Sequence, residues 1–237
     1  MQSCGFASKA SVGPRHFGSS AVLKDRASTR RDGALDNERR TFHDFGVTPI
    51  ERFHAAFERA REREPEYPDA AVLATVGPTG RPSARVVLVR YADDRGFTFF
   101  TNYRSHKGRE LDEQRVAALC FHWKTTHEQV RVEGTVGRIP EAESDTYFSG
   151  RPRESQLGAH ASLQSESLAN REELERRVAE MTARFEGGDV PRPTHWGGYR
   201  LVPDRIELWS EGAFRLHDRI LFERDGDGAW RERRLFP

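Results

Sequence analysis

Hydrophobic residues recur with a helical period at the start of the patterned part of the chain. In the segment TPIERFHAAFERA they fall on one face, which consists of Phe53, Phe57 and Ala60. Thr48 supplies a hydroxyl suited to the N-cap, Pro49 is favourable at the first helical position, and Glu51 adds an acid to the first turn. The pattern predicts an amphipathic helix that begins near Thr48 and ends before Pro65.

The period then changes to that of β-strands. AAVLATV, SARVVLVRYA and FTFFT are separated by the turn sequences GPTGRP and DDRG, which indicates an antiparallel meander. A short polar helix is predicted over SHKGRELDEQ, followed by strands in VAALCFHW and QVRVEGTVGRI. A helix of about 15 residues beginning near Arg171 precedes a sixth and a seventh strand, GGYRLVPDRIELW and FRLHDRILFER. Because strands and helices do not alternate, the pattern favours a mainly β fold over a doubly wound sheet: a closed antiparallel barrel of six to seven strands with flanking helices.

Side-chain alternation along these strands sorts the polar residues by face. In QVRVEG it directs Val130 and Val132 towards the core. In SARVVLVRY, Arg85 and Arg90 point to opposite sides if no bulge intervenes. In the last predicted strand one face carries Arg215, His217 and Arg219. Each pattern alone is typical of a solvated barrel exterior, but together they favour a binding surface.

The segment from Arg151 to Ser165, RPRESQLGAHASLQS, is polar and has few large apolar residues, which predicts a loop. Guanidinium and hydroxyl donors match phosphate oxygens, so the segment is a candidate anion-binding loop, although from composition alone an ordinary surface loop is the favoured interpretation. Gly158 and Ala159 in its middle are expected to let the chain turn.

Composition narrows the class of protein. The net charge of +1 argues against nucleic acid as the main partner, and no apolar run approaches the roughly 18 residues of a membrane span. Cys4 and Cys120 lie far apart and lack the spacing of metal ligands, so no metal site is expected and a reducing, cytoplasmic location is favoured.

The first 45 residues differ from the rest in being rich in Ser, Ala, Gly and Arg without any strand or helix period. A disordered tail is the favoured interpretation, and an organellar transit peptide is the alternative. The remaining residues, 46–237, are then expected to form a single domain.

Several motifs together resemble one enzyme family. RVVLVR, FFTNYRSHKGREL, EQVRVEG, YFSGRPRESQLGAHASLQS, HWGGYRLVPDRIELW and RLHDR occur in the order and spacing of the pyridoxine (pyridoxamine) 5'-phosphate oxidases, flavin enzymes that make pyridoxal 5'-phosphate. The resemblance extends from about Pro49 to Pro237. It implies an FMN-binding split β-barrel and a homodimer with FMN at the subunit interface.

The resemblance also implies a set of FMN-binding residues. Arg85 and Lys107 correspond to ligands of the FMN phosphate, Gln129 to a residue at the flavin ring, and Gln164 with Ser165 to a pair contributed across the dimer. Two further members of the set also have purely structural interpretations, Trp209 as a core aromatic residue and Thr101 as a hydroxyl at the end of a strand. The full implied set is Arg85, Val86, Val87, Leu88, Phe100, Thr101, His106, Lys107, Gln129, Gln164, Ser165, Trp209 and Arg219.

The substrate would be held by a second set that matches the family's grip on the pyridoxyl phosphate: Arg90, Tyr147, Arg151 and Ser155. Arg215 and His217 resemble the catalytic pair over the substrate ring and its reacting carbon, with His217 either a base or a neutral hydrogen-bond donor. Three residues depart from the family pattern. Arg90 replaces a usual lysine, His106 a frequent arginine and Phe100 a common tyrosine.

The activity implied is FMN-dependent oxidation of pyridoxine 5'-phosphate or pyridoxamine 5'-phosphate to pyridoxal 5'-phosphate, with O2 as acceptor and H2O2 as product. A related FMN oxidase of phenazine-type secondary metabolism is one alternative, and the RPRxSQ motif argues against it. A non-catalytic protein that binds FMN or pyridoxal phosphate is another, and the presence of Arg215 and His217 argues against that.

Overall fold

A computed structural model describes residues 47–237, so the predictions for the first 45 residues and for Cys4 lie outside the described part. No helix of the described part is long and apolar enough to cross a membrane. The described elements follow one another as α1 (Pro49–Arg63), β1 (Ala70–Val76), β2 (Pro82–Asp93), β3 (Gly96–Asn102), α2 (His106–Gln114), β4 (Val116–Trp123), β5 (Glu128–Arg138), α3 (Glu141–Ser149), α4 (Arg153–Ala161), α5 (Arg171–Arg184), β6 (Trp196–Ser210), β7 (Asp218–Arg224) and β8 (Trp230–Arg234).

Six antiparallel strands close into a barrel in the order β3-β2-β1-β4-β5-β6, because β6 also pairs with β3. Residues 196–201 of β6 pair with β3, while residues 205–210 pair with β7, which β8 extends. This confirms the mainly β, antiparallel barrel with flanking helices that the sequence predicts. Closure leaves the six barrel strands without a free edge between β3 and β6, which is how a barrel avoids unpaired backbone groups.

The first helix packs into the barrel core as its pattern predicts. Thr48 and Glu51 form a capping box, in which Thr48 N donates to Glu51 Oε2 at 2.7 Å and Glu51 N donates to Thr48 Oγ1 at 3.2 Å. The Phe53 ring is fully buried, and its centroid lies 4.9 Å from that of Phe97 and 5.1 Å from that of Phe121. The helix therefore stabilises the barrel through its apolar face.

The C-terminal strands differ from the prediction in two ways. β7 begins at Asp218 rather than near Phe214, because Ala213–Arg215 form a 3-10 turn in which Phe214 and Arg215 have φ values of 58° and 66°. The prediction that Arg215 shares a strand face with His217 and Arg219 is therefore wrong. An eighth strand, β8, was not predicted, because WRERR has one apolar residue and no alternation.

The polar segment from Arg151 to Ser165 is not a loop, since it contains α4. Pro152 precedes the first helical residue, and the helix buries Gln156, Leu157 and Ala161. Leu157 packs in a cluster with Phe148, Val190 and Trp196. The turn predicted at Gly158 and Ala159 is wrong, because both lie inside the helix. A nine-residue helix with one large apolar side chain gives too weak a periodic signal to be read from sequence.

Two helical glycines give a matched test of close packing. A Cβ on Gly108 of α2 would lie 2.2 Å from the backbone O of Tyr103, whereas a Cβ on Gly158 of α4 would meet nothing within 4 Å. Gly108→Ala should therefore lower the free energy of unfolding by about 2 kcal/mol or more, measured by urea denaturation. Gly158→Ala, the control, should leave it unchanged or raise it by about 0.4–1 kcal/mol. Equal effects of the two substitutions would contradict the close approach of α2 to Tyr103.

Candidate active site

A pocket of about 480 Å³ lies beside the strands β2 and β3 and the helices α2, α3 and α4. It gathers segments that are far apart in sequence. The residues predicted for the site that line it are Val86, Val87, Leu88, Arg90, Phe100, Thr101, Lys107, Tyr147, Arg151, Ser155 and Gln164. Asn102, Gly158, Ala159, Ser162 and Trp196 complete the described lining and were not predicted.

Lys107 is the centre of the first cationic group. Its Nζ donates to Thr101 Oγ1 at 3.2 Å and to Gln164 Oε1 at 2.8 Å. Burial, with a smaller contribution from the charge of Arg85, lowers the pKa of Lys107 from 10.5 to about 8. A half-buried ammonium beside a second cation is a site where an anion would bind favourably.

Gln164 and Ser165 reach this group from the same chain. The backbone N of His106 donates to Ser165 Oγ at 3.1 Å, and Gln164 contacts both Thr101 and Lys107. The resemblance implied that the pair is contributed across the dimer, and within one chain Gln164 contacts Lys107 while Ser165 contacts His106. They lie there because Gln164 follows closely after α4, which itself lines the pocket.

Arg85 stands behind the pocket rather than in its lining. Its guanidinium donates to Thr75 Oγ1 through Nη1 and to Ser83 Oγ through Nη2 at 2.5 Å. The Glu110 carboxylate lies 3.3 Å from Arg85 Nη2 and accepts hydrogen bonds from Thr75 and Ser83. Arg85 is thereby fixed in one orientation, close enough to Lys107 to affect its pKa.

Glu110 is a residue that sequence reasoning missed. Burial raises its pKa, but the hydrogen bonds from Thr75 and Ser83 outweigh burial and hold the pKa below its ordinary value. Its Oε1 also lies 3.3 Å from His106 Nε2, one helical turn earlier. That i,i+4 spacing from His106 is the signal that was available in the sequence.

Arg151 is the centre of the second cationic group. Its Nη1 is buried and has no hydrogen-bond partner among the described residues. The guanidinium Cζ lies 4.5 Å from the centroid of the Trp196 ring, an arrangement that fixes the plane of the group. Burial holds the pKa of Arg151 below its ordinary value, and the charge of Arg90 adds to this effect. An unpaired buried donor is costly, so the geometry favours a bound anion.

Aromatic rings form the wall next to Arg151. The rings of Phe100 and Tyr147 stack with centroids 3.7 Å apart and planes 9° apart, and Trp196 continues the stack at 5.6 Å from Phe100. Tyr147 carries the one hydroxyl of this stack, beside Arg151. The wall therefore presents apolar faces and a phenol to the same space.

The remaining predicted residues form a separate cluster outside the pocket lining. Trp209 of β6 is paired in register with Gln129 of β5 and Arg219 of β7. The His217 ring lies 4.7 Å from that of Trp209, and Arg215 is exposed. One chain thus carries two groups of candidate site residues that do not share a pocket.

His217 has a defined hydrogen-bonding role in this cluster. The backbone N–H of Gly212 donates to His217 Nδ1 at 3.3 Å. Because a backbone N–H can only donate, Nδ1 is the acceptor in this contact, and Nε2 is the ring nitrogen left for another partner.

The pocket fits a flavin phosphate and does not suggest a metal site. Lys107, Thr101 and Arg85 supply donors and charge on one side, and the unpaired Nη1 of Arg151 marks a second anion position. Residues 47–237 contain no group of three or more His, Cys, Asp or Glu side chains that could hold a metal ion.

Fold and pocket together define a split-barrel protein with a pocket lined by cationic side chains. The family described as pyridoxamine 5'-phosphate oxidase matches residues 57–185, and the pyridoxine 5'-phosphate oxidase C-terminal dimerisation region matches residues 196–237. The chain belongs to the pyridoxamine 5'-phosphate oxidase family.

Individual relatives agree with this assignment. A pyridoxine/pyridoxamine 5'-phosphate oxidase from Myxococcus xanthus is 56% identical over 80% of this chain and 91% of its own length. The crystal structure of PhzG from Burkholderia lata 383 in complex with tetrahydrophenazine-1-carboxylic acid is 37% identical, with a TM-score of 0.72 over 79% of this chain and 90% of that one. A pyridoxamine 5'-phosphate oxidase-related, FMN binding protein from Nostoc punctiforme shares the fold at 18% identity, with a TM-score of 0.66 over 81% of this chain and 99% of that one.

The lowered pKa of Lys107 predicts how FMN affinity depends on pH. The charged ammonium favours the FMN phosphate, so binding should weaken as pH rises through about 8, where Lys107 loses its proton. We expect a roughly 10-fold loss of affinity between pH 7 and pH 9, since the phosphate itself is already fully ionised there. The dissociation constant of FMN at each pH is measured by the quenching of flavin fluorescence.

Riboflavin, which lacks the phosphate, and the Lys107→Met variant are the controls for this titration. Riboflavin affinity should stay flat over the same range, and the variant should bind FMN weakly at every pH. An equal pH dependence for riboflavin would contradict the role of Lys107.

Proposed function

We propose that this chain is an FMN-dependent oxidase that converts pyridoxine 5'-phosphate or pyridoxamine 5'-phosphate to pyridoxal 5'-phosphate, with O2 as acceptor and H2O2 as product. Its curated relatives, 47–56% identical, are pyridoxine/pyridoxamine 5'-phosphate oxidases. The observation that carries the proposal is the presence of two cationic groups, around Lys107 and around Arg151, in one pocket. Two phosphates, one of the cofactor and one of the substrate, match two such groups.

The cofactor phosphate is assigned to the Lys107 group. Lys107 supplies the charge and Thr101 a hydroxyl, while Arg85 adds a second positive charge from behind the pocket. Gln164 Oε1 accepts a hydrogen bond from Lys107 Nζ, and a bound phosphate would replace it as the acceptor. Val86, Val87 and Leu88 of β2 form the adjoining wall.

The substrate phosphate is assigned to the Arg151 group. Arg151 offers its unpaired Nη1, and Tyr147 and Ser155 line the same pocket with hydroxyls. Arg90 brings a second guanidinium to this group. The stacked rings of Phe100 and Tyr147 form an apolar wall beside these charges, and apolar surroundings strengthen the interaction of a cation with an anion.

A second copy of the chain would complete the site. Gln129, Trp209, His217 and Arg219 lie outside the pocket of their own chain, and they fall in or beside the region that matches the family's dimerisation region. The exposed Arg215 is free to reach across an interface. We therefore propose a homodimer in which each chain supplies this cluster to the pocket of its partner.

Bound FMN would supply the acceptor for the two electrons that leave the substrate, and O2 would take them up to form H2O2. Oxidation of the amine would also consume one water and release ammonia, whereas oxidation of the alcohol would need no water. The protein's own part is to hold the reacting carbon in place through the substrate phosphate. His217 would present Nε2–H to the substrate oxygen or nitrogen, because its Nδ1 is already occupied by the Gly212 N–H. Arg215 would add positive charge on the same side.

The phenazine-type oxidase is less well supported. The PhzG structure is 37% identical to this chain, compared with 56% for the Myxococcus xanthus relative. The Arg151 group, with its unpaired buried donor, also provides a site for a phosphate ester. Turnover of a phosphorylated B6 vitamer would separate the oxidase from the phenazine-type enzyme and from a non-catalytic carrier.

Oxygen uptake tests the function directly. The protein loaded with FMN should consume O2 with pyridoxine 5'-phosphate or pyridoxamine 5'-phosphate and form H2O2 and the aldehyde. Arg151→Ala should raise KM about 30-fold, equivalent to about 2 kcal/mol, because a charged hydrogen bond to the substrate phosphate is lost. FMN occupancy should not change.

Arg153→Ala is the matched control, since Arg153 is two residues away on α4 and its guanidinium donates to the backbone carbonyls of Gly188 and Phe185 instead. Its KM should stay near the wild-type value. Absence of O2 uptake with both phosphate esters would contradict the proposed function. Loss of FMN from Arg151→Ala would mean that this arginine holds the cofactor phosphate.

Hybrid dimers test whether the site is shared between two chains. A dimer of one Arg151→Ala chain and one His217→Ala chain should contain one intact site and one doubly defective site. At low substrate concentration we expect about half of the wild-type rate, well above either parent homodimer. Differently tagged chains allow the hybrid to be purified. A hybrid rate equal to the mean of the two parents would show that each site lies within a single chain.

A further inference from the structure

Arg90, which belongs to the substrate group, is paired with a carboxylate that has no role in the function proposed so far. Arg90 Nη1 lies 2.6 Å from Asp69 Oδ2, and Asp69 is only 8% exposed. Arg90 lines the pocket, whereas Asp69 does not. Asp69 immediately precedes β1 and was not among the predicted site residues.

The backbone fixes the position of Asp69. Its carbonyl O accepts from Val89 N at 2.9 Å, which ties it to β2. The preceding carbonyl, of Pro68, accepts from Trp123 Nε1 at 2.7 Å, and Trp123 is buried in the core. The carboxylate is therefore anchored on a rigid part of the barrel and does not sit on a mobile loop.

A β-bulge directs Arg90 towards this carboxylate. In the pairing of β2 with β3, Val89 is opposite Phe99 and Tyr91 is opposite Thr98, so Arg90 is the extra residue. Bulges change the direction in which a side chain points and are frequent beside active sites. The prediction from regular alternation, that Arg90 lies on the face opposite to Arg85, does not apply across such a bulge.

The chemistry of arginine allows it to serve two anions at once. A guanidinium carries several N–H donors in a planar fork, so Nη1 can stay with Asp69 while other nitrogens face the pocket. A lysine, the usual residue here in the family that this chain resembles, has a single nitrogen. The Asp69 partner therefore suits the arginine of this chain.

Arg90 and Arg151 are like charges that share the substrate part of the pocket. Burial and then the Arg90 charge disfavour the charged form of Arg151, which places the two guanidinium groups within electrostatic reach of each other. Without a counter-charge, Arg90 would turn towards solvent, where a long side chain regains rotamer freedom. Asp69 opposes this by holding Arg90 in place.

We propose that Asp69 is a positioning residue that holds the Arg90 guanidinium in the pocket before the substrate phosphate binds. The role rests on the proposed function, because it concerns the phosphate of that substrate. Asp69 touches neither substrate nor cofactor. It holds the Arg90 side chain in its binding position before the substrate arrives. Substrate binding then loses less conformational entropy of Arg90.

A double-mutant cycle separates this role from a structural one. Asp69→Asn should raise KM for pyridoxine 5'-phosphate about 10-fold and weaken pyridoxal 5'-phosphate binding to the FMN-loaded protein equally, with kcat within about twofold. FMN affinity should not change. In the Arg90→Ala background, Asp69→Asn should have almost no further effect on KM, because the residue through which it acts is gone.

Asp93→Asn is the matched control, since Asp93 is the last residue of β2, the strand of Arg90, and pairs with Arg95 at 2.8 Å outside the pocket lining. It should leave KM unchanged. A 10-fold loss that persists in the Arg90→Ala background, a lower KM for Asp69→Asn, or a parallel loss of FMN affinity would each overturn the proposal.

The proposed function fails in a distinguishable way. Wild-type protein that binds pyridoxal 5'-phosphate but shows no O2 uptake would refute the oxidase, while the binding cycle would still decide the role of Asp69. Wild-type protein that does neither would overturn both. If the wild type oxidises the substrate but the effects of Asp69→Asn and Arg90→Ala on KM are additive, the oxidase function stands and only the positioning role is overturned.

Discussion

The pairing of β3 with the first half of β6 is the interaction on which the rest of the structure depends. It closes the barrel and sets Asn102 opposite Trp196, although the two residues are far apart in sequence. Thr101, beside Asn102, thereby reaches Lys107, while Trp196 lies under the Arg151 guanidinium. One strand pairing thus brings together the supports of both cationic groups. The backbone hydrogen bonds of the barrel give these supports a rigidity that loops would not provide.

Charge is distributed unevenly around the pocket. Arg85 and Arg90 each have a buried carboxylate behind them, Glu110 and Asp69. Among residues 47–237, Lys107 has only neutral oxygen partners and the Nη1 of Arg151 has no hydrogen-bond partner. The compensated arginines are held in place, and the uncompensated cations are left to attract anions. An unpaired buried charge lowers the stability of the fold, and here the unpaired charges lie at the positions where anions are proposed to bind.

Much of the fold follows from hydrophobic period, and the exceptions have physical causes. β1 and β4 were predicted residue for residue, because their apolar runs are bounded by turn sequences. α4 was missed because it has too few apolar residues to show a period, and β8 because its one apolar residue gives no alternation. Most of the pocket lining was available from motifs, whereas the supporting carboxylates were not. Asp69 forms its ion pair with Arg90 at a β-bulge, and the alternation of side chains along a sequence does not predict where a bulge occurs.

The long strand β6 belongs to both halves of the molecule. Its first residue, Trp196, lines the pocket, and its last residues pair with β7 within the part that matches the dimerisation region. The border between the two matched regions falls between residues 185 and 196, just before this strand. That border therefore divides the sequence but not the fold, since a chain cut there would lose the strand that closes the barrel. Neither matched region contains all six strands of the barrel.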